Sequence, residues 1–389
     1  MPIPEFRRHF EALEDPRVER TKAHALIDIV MIAVCACICG AEGWEDMEDF
    51  GLEKEAWLRE HLGLELANGI PSDDTFRRLF GRLDPVVFAR CLGGWVASFR
   101  TAPVADGDPE VIAMDGKTAR HSYDVATGQE CMHLVTAWAT ENGLALGQAK
   151  VDEKSNEITA LPGLLKLLDI AGCIVTTDAM GCQKSVAEQV VAQRGDYVLA
   201  VKGNHPSLHE DLKVVFAYVR KNEGYRKDPA RRGCFDYHDS IDKDHGRIEI
   251  RRCWTAQGRE IEWLWGKGEW TGLRSVCMVE SERRIGDKVS IETRYFLSSL
   301  EGDAAKVARA VRLHWGIENG LHHVLDVSMG EDACGIWKDH GPENLATLRR
   351  FAVSLLRQER TSKRGVKARM KRSGWSNGYL EKVILGTAN

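Results

Sequence analysis

Along this 389-residue chain the apolar positions repeat with two different periods. Over the first hundred or so residues they recur every three to four positions, the period of a helix. "HALIDIVMIAVCACIC", "WEDMEDF", "EAWLREHLG" and "PSDDTFRRLFGRL" all read this way. In the last of these Ser72 can cap the helix, and Asp73 and Asp74 fall in the first turn, where carboxylates suit the helix dipole. Phe76, Leu79, Phe80 and Leu83 give its apolar face, which leaves Arg77, Arg78 and Arg82 on the outer side. "RTAPVADGDPE" follows as a linker.

From Val111 the pattern changes to short apolar runs closed by turns. "VIAMD", "CMHLVTAWAT" and "LALGQAKVD" read as strands, followed by the helix "NEITALPGLLKLLDI", the strand "CIVTTD", the helix "QKSVAEQVVAQ" and the strand "DYVLAVKG". This order predicts a mixed α/β layer. Residues from about 204 to 293 begin as a helix, "HPSLHEDLKVVFAYVRK". They then alternate as strands in "GRIEIRRCWTA", "LRSVCMVES" and "VSIETRYFLSSL", and the region reads as an insertion. Two helices close the chain before a basic tail: "VARAVRLHWGIENGLHHVLD" and "ENLATLRRFAVSLLRQE".

The first of those closing helices poses a chemical question. Val307, Val311, His314, Glu318, Leu321 and Leu325 fall on one narrow face, which should be buried. A carboxylate in such a stripe is costly unless something paired or metallic compensates it. "VIAMDG" and "IVTTDA" are both apolar strands ending in an aspartate, Asp115 and Asp178. In an α/β layer, ligands gather at the carboxyl ends of the strands. If the two strands are neighbours their aspartates converge, and Glu318 can supply a third carboxylate to the same point. Oxygen-only ligation of this kind suits Mg²⁺ or Mn²⁺. Two such ions roughly 4 Å apart clamp the attacking and leaving oxygens of a phosphoryl transfer. Spacing alone leaves alternatives open. Aspartates often end strands because they favour turns. Glu318 can pair with a buried arginine, His314 reads as a hydrogen-bonded core histidine, and Asp326, Glu331 and Asp332 compete as acids.

Composition narrows the setting. The longest apolar run, Ile29 to Ala41, is shorter than the roughly 20 residues that span a bilayer. No charged leader with a cleavable apolar segment is visible, so a secreted product is not expected. The 11 cysteines include no C-x-x-C pair, which argues against a disulfide framework or a zinc ribbon and for a reducing cytoplasm. The net charge of -5 would count against a nucleic-acid partner, but its distribution counts for more. Arg349 to Arg372 holds ten basic residues against the single acid Glu359, a local net of +9. A second cluster runs Arg220, Lys221, Arg226, Lys227, Arg231, Arg232. Such clusters suit phosphate, though solvated surface accounts for them equally well.

At these acids the sequence resembles a known group, the DDE transposases of the IS4-like superfamily, and within it the ISAs1 family, which includes the H-repeat-associated proteins. The likeness lies in "DGKTAR", "TTDAMGCQK", "YVLAVKGNH", "DHGRIEIR", "RYFLSSL" and "HWGIENGLHHVLDVSMGEDAC". "DPRVERTKAHAL" and "GIPSDDTFRRLF" look like the helical domain that precedes catalysis in that family. The resemblance implies an RNase H-like α/β catalytic domain in two parts, 104–203 and 296–389, interrupted by a β-rich insertion at 204–295 and preceded by a helical DNA-binding domain at 1–103. It implies Asp115, Asp178 and Glu318 as catalytic metal ligands, with Glu318 chosen over Asp326 because it matches the "IEN" position. It further implies two Mg²⁺ or Mn²⁺ ions, cleavage of an element's terminal inverted repeats, transfer of the freed 3′-hydroxyl into target DNA, and a homodimer that synapses two ends. The expected setting is a bacterial cytoplasm, with nucleoid association when bound to DNA, and neither membrane nor nucleotide cofactor takes part.

The wider IS4-like pattern carries a tyrosine, an arginine and a lysine around the glutamate where this chain has Val311, His314 and Leu325. His314 could replace the arginine, and Lys338 could approach the DNA from further along. Candidate phosphate contacts near the metals are Lys117, Lys202 and Arg247. Arg77, Arg78, Lys363, Arg364, Lys367 and Arg369 are candidates for contacts further out along the DNA. The insertion also carries Trp254, Trp263, Trp265 and Trp270, a residue type suited to holding a flipped base but more often used for packing. The alternatives are a metal-dependent nuclease that cleaves without joining and a catalytically silent DNA-binding protein that keeps the fold.

Overall fold

The structure is a computed structural model that describes residues 3–99, 107–122, 131–151, 157–221, 233–244 and 246–385. Most of the expected linker and the Arg226 to Arg232 cluster lie outside these residues. In chain order the helices of the first hundred residues are α1 (Ile3–His9), α2 (Leu26–Cys39), α3 (Trp44–Leu62), α4 (Asp73–Arg82) and α5 (Pro85–Ala97). Then come β1 (Val111–Thr118), β2 (His133–Ala139), β3 (Leu144–Lys150), α6 (Glu157–Leu165), β4 (Ile174–Thr177), α7 (Lys184–Ala192) and β5 (Asp196–Val201). The β-rich stretch consists of α8 (Pro206–Lys221), β6 (Phe235–Asp244), β7 (Arg247–Gln257), β8 (Ser275–Ile285) and β9 (Lys288–Ser298). The chain closes with α9 (Ala304–Ile317), α10 (His323–Val327), α11 (Gly341–Gln358), α12 (Val366–Trp375) and α13 (Asn377–Leu385).

These elements form two compact units. One comprises Met1–Ala102, Gly116–Asn156 and Ile317–Asn389, and the other Pro103–Asp115 and Glu157–Gly316. In the first, α11 is the hub, buried along nearly its whole length. It packs on α2, α4, α5 and β3. The "IVMIAVCACIC" run is buried as α2 through Ile38, with Cys35 and Cys37 in the interior and Cys39 half-buried, and burial pushes the thiols of Cys37 and Cys39 up to about 12. Phe76, Leu79, Phe80 and Leu83 are all fully buried, as the periodicity of α4 requires. Ser72 sits at its N-cap but accepts no backbone hydrogen bond there. "WEDMEDF" and "EAWLREHLG" form one helix rather than two, continuous through the buried Gly51.

In the second unit the strands lie in the order β1-β4-β5-β9-β8-β7-β6. β1, β4 and β5 are parallel, and β9 turns antiparallel to β5. Val111, Ile174, Val198, Cys253, Cys277 and Phe296 from this sheet pack against Ala304, Val307, Ala310 and Val311 of α9. Pairing of β5 with β9 stops at Val201↔Tyr295, while β8 and β9 continue together to Ile285↔Lys288. The last seven residues of that run, at ~3.3 Å each, carry an arm about 23 Å beyond the carboxyl end of β5. Among the described residues no single helix is long and apolar enough to cross a membrane.

Candidate active site

Met114 of β1 pairs with Thr177 of β4 in parallel register, so Asp115 and Asp178 follow adjacent positions on neighbouring strands. The loop after β4 holds Asp178 in place. The Gly181 N–H donates to Asp178 Oδ1 at 3.1 Å, and a side chain at Gly181 would bring its Cβ within 2.6 Å of Thr177 Cβ. Only glycine permits that approach. Asn204 and His205, after β5, tie the two loops together by bonding the carbonyls of Ala179 and Cys182 at 2.6 and 2.7 Å. Burial and the nearby Glu157 push the Asp178 carboxyl above its usual range, against the opposing pull of the Gly181 N–H and Lys202. A carboxylate destabilised in this way is one that a cation would relieve.

Glu318 departs from the expected stripe. Val307, Leu321 and Leu325 are fully buried and Val311 nearly so, but Glu318 is exposed. The physical reason is a break in helical register: α9 ends at Ile317, and Glu318–His322 form a π turn before α10 begins. The wider i→i+5 winding lets Leu321 and Leu325 return to the interior while Glu318 faces out, a feature common at functional sites. Arg357 of α11 secures this turn, its Nε and Nη2 donating to Gly320 O at 3.1 and 2.8 Å. The same guanidinium lies 5.7 Å from the centre of the Trp138 ring, and a Cβ at Gly320 would meet Arg357 Nη2 at 3.1 Å. In the sequence Arg357 is only one charge of a basic cluster.

Lys117 was expected to touch phosphate, and the structure corrects this. Its side chain is buried, with Nζ 2.6 Å from Asp326, 3.4 Å from Glu331 and 2.9 Å from Asp332. Burial pushes its ammonium pKa down, but those acids outweigh it and hold the pKa above the ordinary value. Arg350, also buried, pairs with Glu331 at 2.6 Å and donates to Thr136 Oγ1 at 3.1 Å. Burial raises the Glu331 carboxyl pKa, but Arg350 and Lys117 together bring it below its usual range. The three acids that competed with Glu318 are thus engaged by Lys117 and, for Glu331, by Arg350.

The remaining candidates divide. His314 Nδ1 lies 2.9 Å from Thr176 Oγ1, and burial, with Arg294 nearby, lowers its pKa to about 4. It is a neutral core histidine, not a cation for phosphate. Arg247 pairs across the hairpin with Asp244 and Ile285 at the far end of the arm, so it lies away from the strand-end carboxylates. Lys202 and Lys338 are exposed. Arg77 and Arg78 are exposed too, but they pair with Asp73 and Asp74 on their own helix. Lys363, Arg364 and Lys367 are exposed, whereas Arg369 is tied to backbone carbonyls. Trp270 is buried against His205, Trp254 packs beside Tyr237 and Arg220, and Trp263 and Trp265 are exposed.

Among the described residues, no three His, Cys, Asp or Glu side chains stand grouped as a ready-made cation site. The fit to a divalent ion rests instead on the donor chemistry. Asp115, where β1 leaves its pairing with β4, and Asp178, just past the end of β4, are oxygen donors on neighbouring strands, and the burial of Asp178 is the kind a hard cation offsets.

Residues 7–96 match the family described as DDE_Tnp_1-associated, and residues 106–355 match the Transposase DDE domain. The "H repeat-associated putative transposase YhhI" of Escherichia coli (strain K12) is 37% identical over all of this chain and 99% of its own length. The "Inactive transposase YbfQ" of the same organism is 39% identical over 20% of this chain and 92% of its own length. A chain from a piggyBac transposase synaptic complex with hairpin DNA shares 10% identity at a TM-score of 0.39, over 100% of this chain and 78% of that one. With a parallel β1, β4 and β5, a β2–β3 hairpin and a helical N-terminal region, the chain has the RNase H-like fold and belongs to the DDE transposases.

Proposed function

We propose that this transposase is of the ISAs1 type and cuts the ends of an insertion element and joins them to target DNA, with Asp115, Asp178 and Glu318 as metal ligands. The observation that carries this reading is the Met114↔Thr177 register, which sets two aspartates side by side at the carboxyl edge of parallel strands. Mg²⁺ or Mn²⁺, as two ions per site, would supply the Lewis acid and activate the attacking oxygen. Asp115 and Asp178 would hold the metal from the sheet and Glu318 from the π turn, whose orientation Arg357 fixes. Lys202, beside Asp178, is the candidate for a scissile-phosphate contact. Lys338, Arg77 and Arg78 are kept as outer contacts. The functional divisions are a helical DNA-binding segment at 1–103, a catalytic domain at 104–203 and 296–389, and the insertion at 204–295. The partners are terminal repeats, target duplex and a second protomer, in a bacterial cytoplasm.

The test is strand transfer with a precleaved labelled end and a supercoiled target in Mg²⁺ or Mn²⁺. Joined product is expected. Cleavage of an intact end without any joining of the precleaved one would make the protein a nuclease, and duplex binding without either reaction would make it a silent binder.

A further inference from the structure

The structure divides the ten basic side chains of Arg349 to Arg372 into two groups. Arg349 and Arg350 are buried, Arg357 holds the π turn, and the Arg372 guanidinium lies 4.3 Å from the centre of the Tyr379 ring. Arg369 donates to the carbonyls of Arg364, Leu356 and Ser362 at 2.9, 2.7 and 2.6 Å, and so staples the loop ahead of α12. The other five, Arg360, Lys363, Arg364, Lys367 and Lys371, are exposed, as is Arg372 beside its ring, and Lys367 Nζ also reaches the Val327 carbonyl at 3.4 Å. The only acid from residue 349 to 380 is Glu359, which is fully buried and occupied by Thr361, Ser362 and Tyr379.

The exposed residues are ordered along the helix. Lys367, Lys371 and Trp375 are spaced by four and four, which puts them on one side of α12, and Arg364 precedes the helix by two residues, ahead of its extended N-cap Gly365. The opposite side is buried through Met370 and Ser373. Trp375 ends the stripe at 79% exposure, so its indole takes no part in the core. The eight helical steps from Lys367 to Trp375, at ~1.5 Å each, make a stripe about 12 Å long, which faces roughly three to four phosphates of one strand.

We propose that this side of α12 seats the backbone of duplex DNA, with Arg364, Lys367 and Lys371 on successive phosphates and Trp375 packed against the sugar and base edge beyond them. The assignment rests on the transposase reading and gives it a specific DNA-docking surface outside the carboxylate site. Charge complementarity selects the partner: a row of cations without a competing acid fits a polyanion, and the terminal aromatic adds a contact that salt does not screen.

The experiment is the affinity of the full chain for a labelled 30-base-pair duplex as a function of salt. Replacing Arg364, Lys367 and Lys371 together by Gln removes three phosphate contacts and should make the slope of log K against log salt shallower by about 2.7. Trp375→Ala should weaken binding roughly tenfold and leave that slope unchanged. Arg369→Gln, as an internal control, should lower the melting temperature without altering the slope. A wild-type slope in the triple variant would overturn the proposal while leaving the transposase reading standing. Unchanged affinity in Trp375→Ala would remove the aromatic contact. If the wild-type chain binds no duplex at any salt, the transposase reading itself fails.

Discussion

Replacing Arg357 by Ala leaves the Gly320 carbonyl without the two N–H groups that satisfy it. A lost partner of this kind costs about 1–3 kcal/mol. The consequence should fall on Glu318 more than on DNA. Cleavage at saturating duplex is expected to drop at least tenfold with the Kd for DNA nearly unchanged, which a cleavage assay run beside a binding titration would show. Glu331 carries a different kind of load, since it is buried between Lys117 and Arg350. Glu331→Gln leaves the buried Arg350 without the carboxylate it pairs with, while Lys117 keeps Asp326 and Asp332, and breaking a buried pair from one side costs about 3–5 kcal/mol. Urea unfolding should show a loss of that order. His314 gives a pH signature. Its folded pKa of about 4 lies below the ordinary 6.5, so the unfolded chain takes up a proton first as the solution is acidified. Its contribution to stability is therefore complete above pH 6.5 and is lost as pH falls toward 4. Thermal midpoints of His314→Gln should decline less steeply than wild type across that window.

At the level of elements, the strands and helices whose apolar period is set by one buried face were legible in the sequence: α4 through Phe76, Leu79 and Phe80, and β1 and β4 through the runs that end at Asp115 and Asp178. β6 was not, because "FDYHDSIDKD" is an edge strand with four aspartates, held by its ladder with β7 and not by a buried face. Charged residues on such an edge also discourage pairing with other chains. The π turn was hidden for another reason. It depends on Arg357, some forty residues away, while the spacing of Val307 to Leu325 suits an unbroken helix equally well. The basic cluster misled in the same way, because sequence cannot tell the buried Arg350 from the exposed Lys371. The arm tip carries exposed Ile241, Val289 and Ile291. Changing any one of them to Thr should alter stability by less than about 0.5 kcal/mol, as expected for surface positions.

For the molecule as a whole, the proposal is that Asp115, Asp178 and Glu318 are the ligands of a metal-dependent centre for DNA chemistry. The most direct measurement is cleavage of a labelled terminal-repeat duplex in Mg²⁺ or Mn²⁺ by wild type, Asp115→Asn, Asp178→Asn and Glu318→Gln, with Asp326→Asn as the comparison and duplex binding measured for each. The account predicts that the first three variants bind DNA but do not cleave it, while Asp326→Asn, altered only at the Lys117 network, still cuts. Normal cleavage by Glu318→Gln together with none by Asp326→Asn would contradict it and move the third ligand to the acids that surround Lys117.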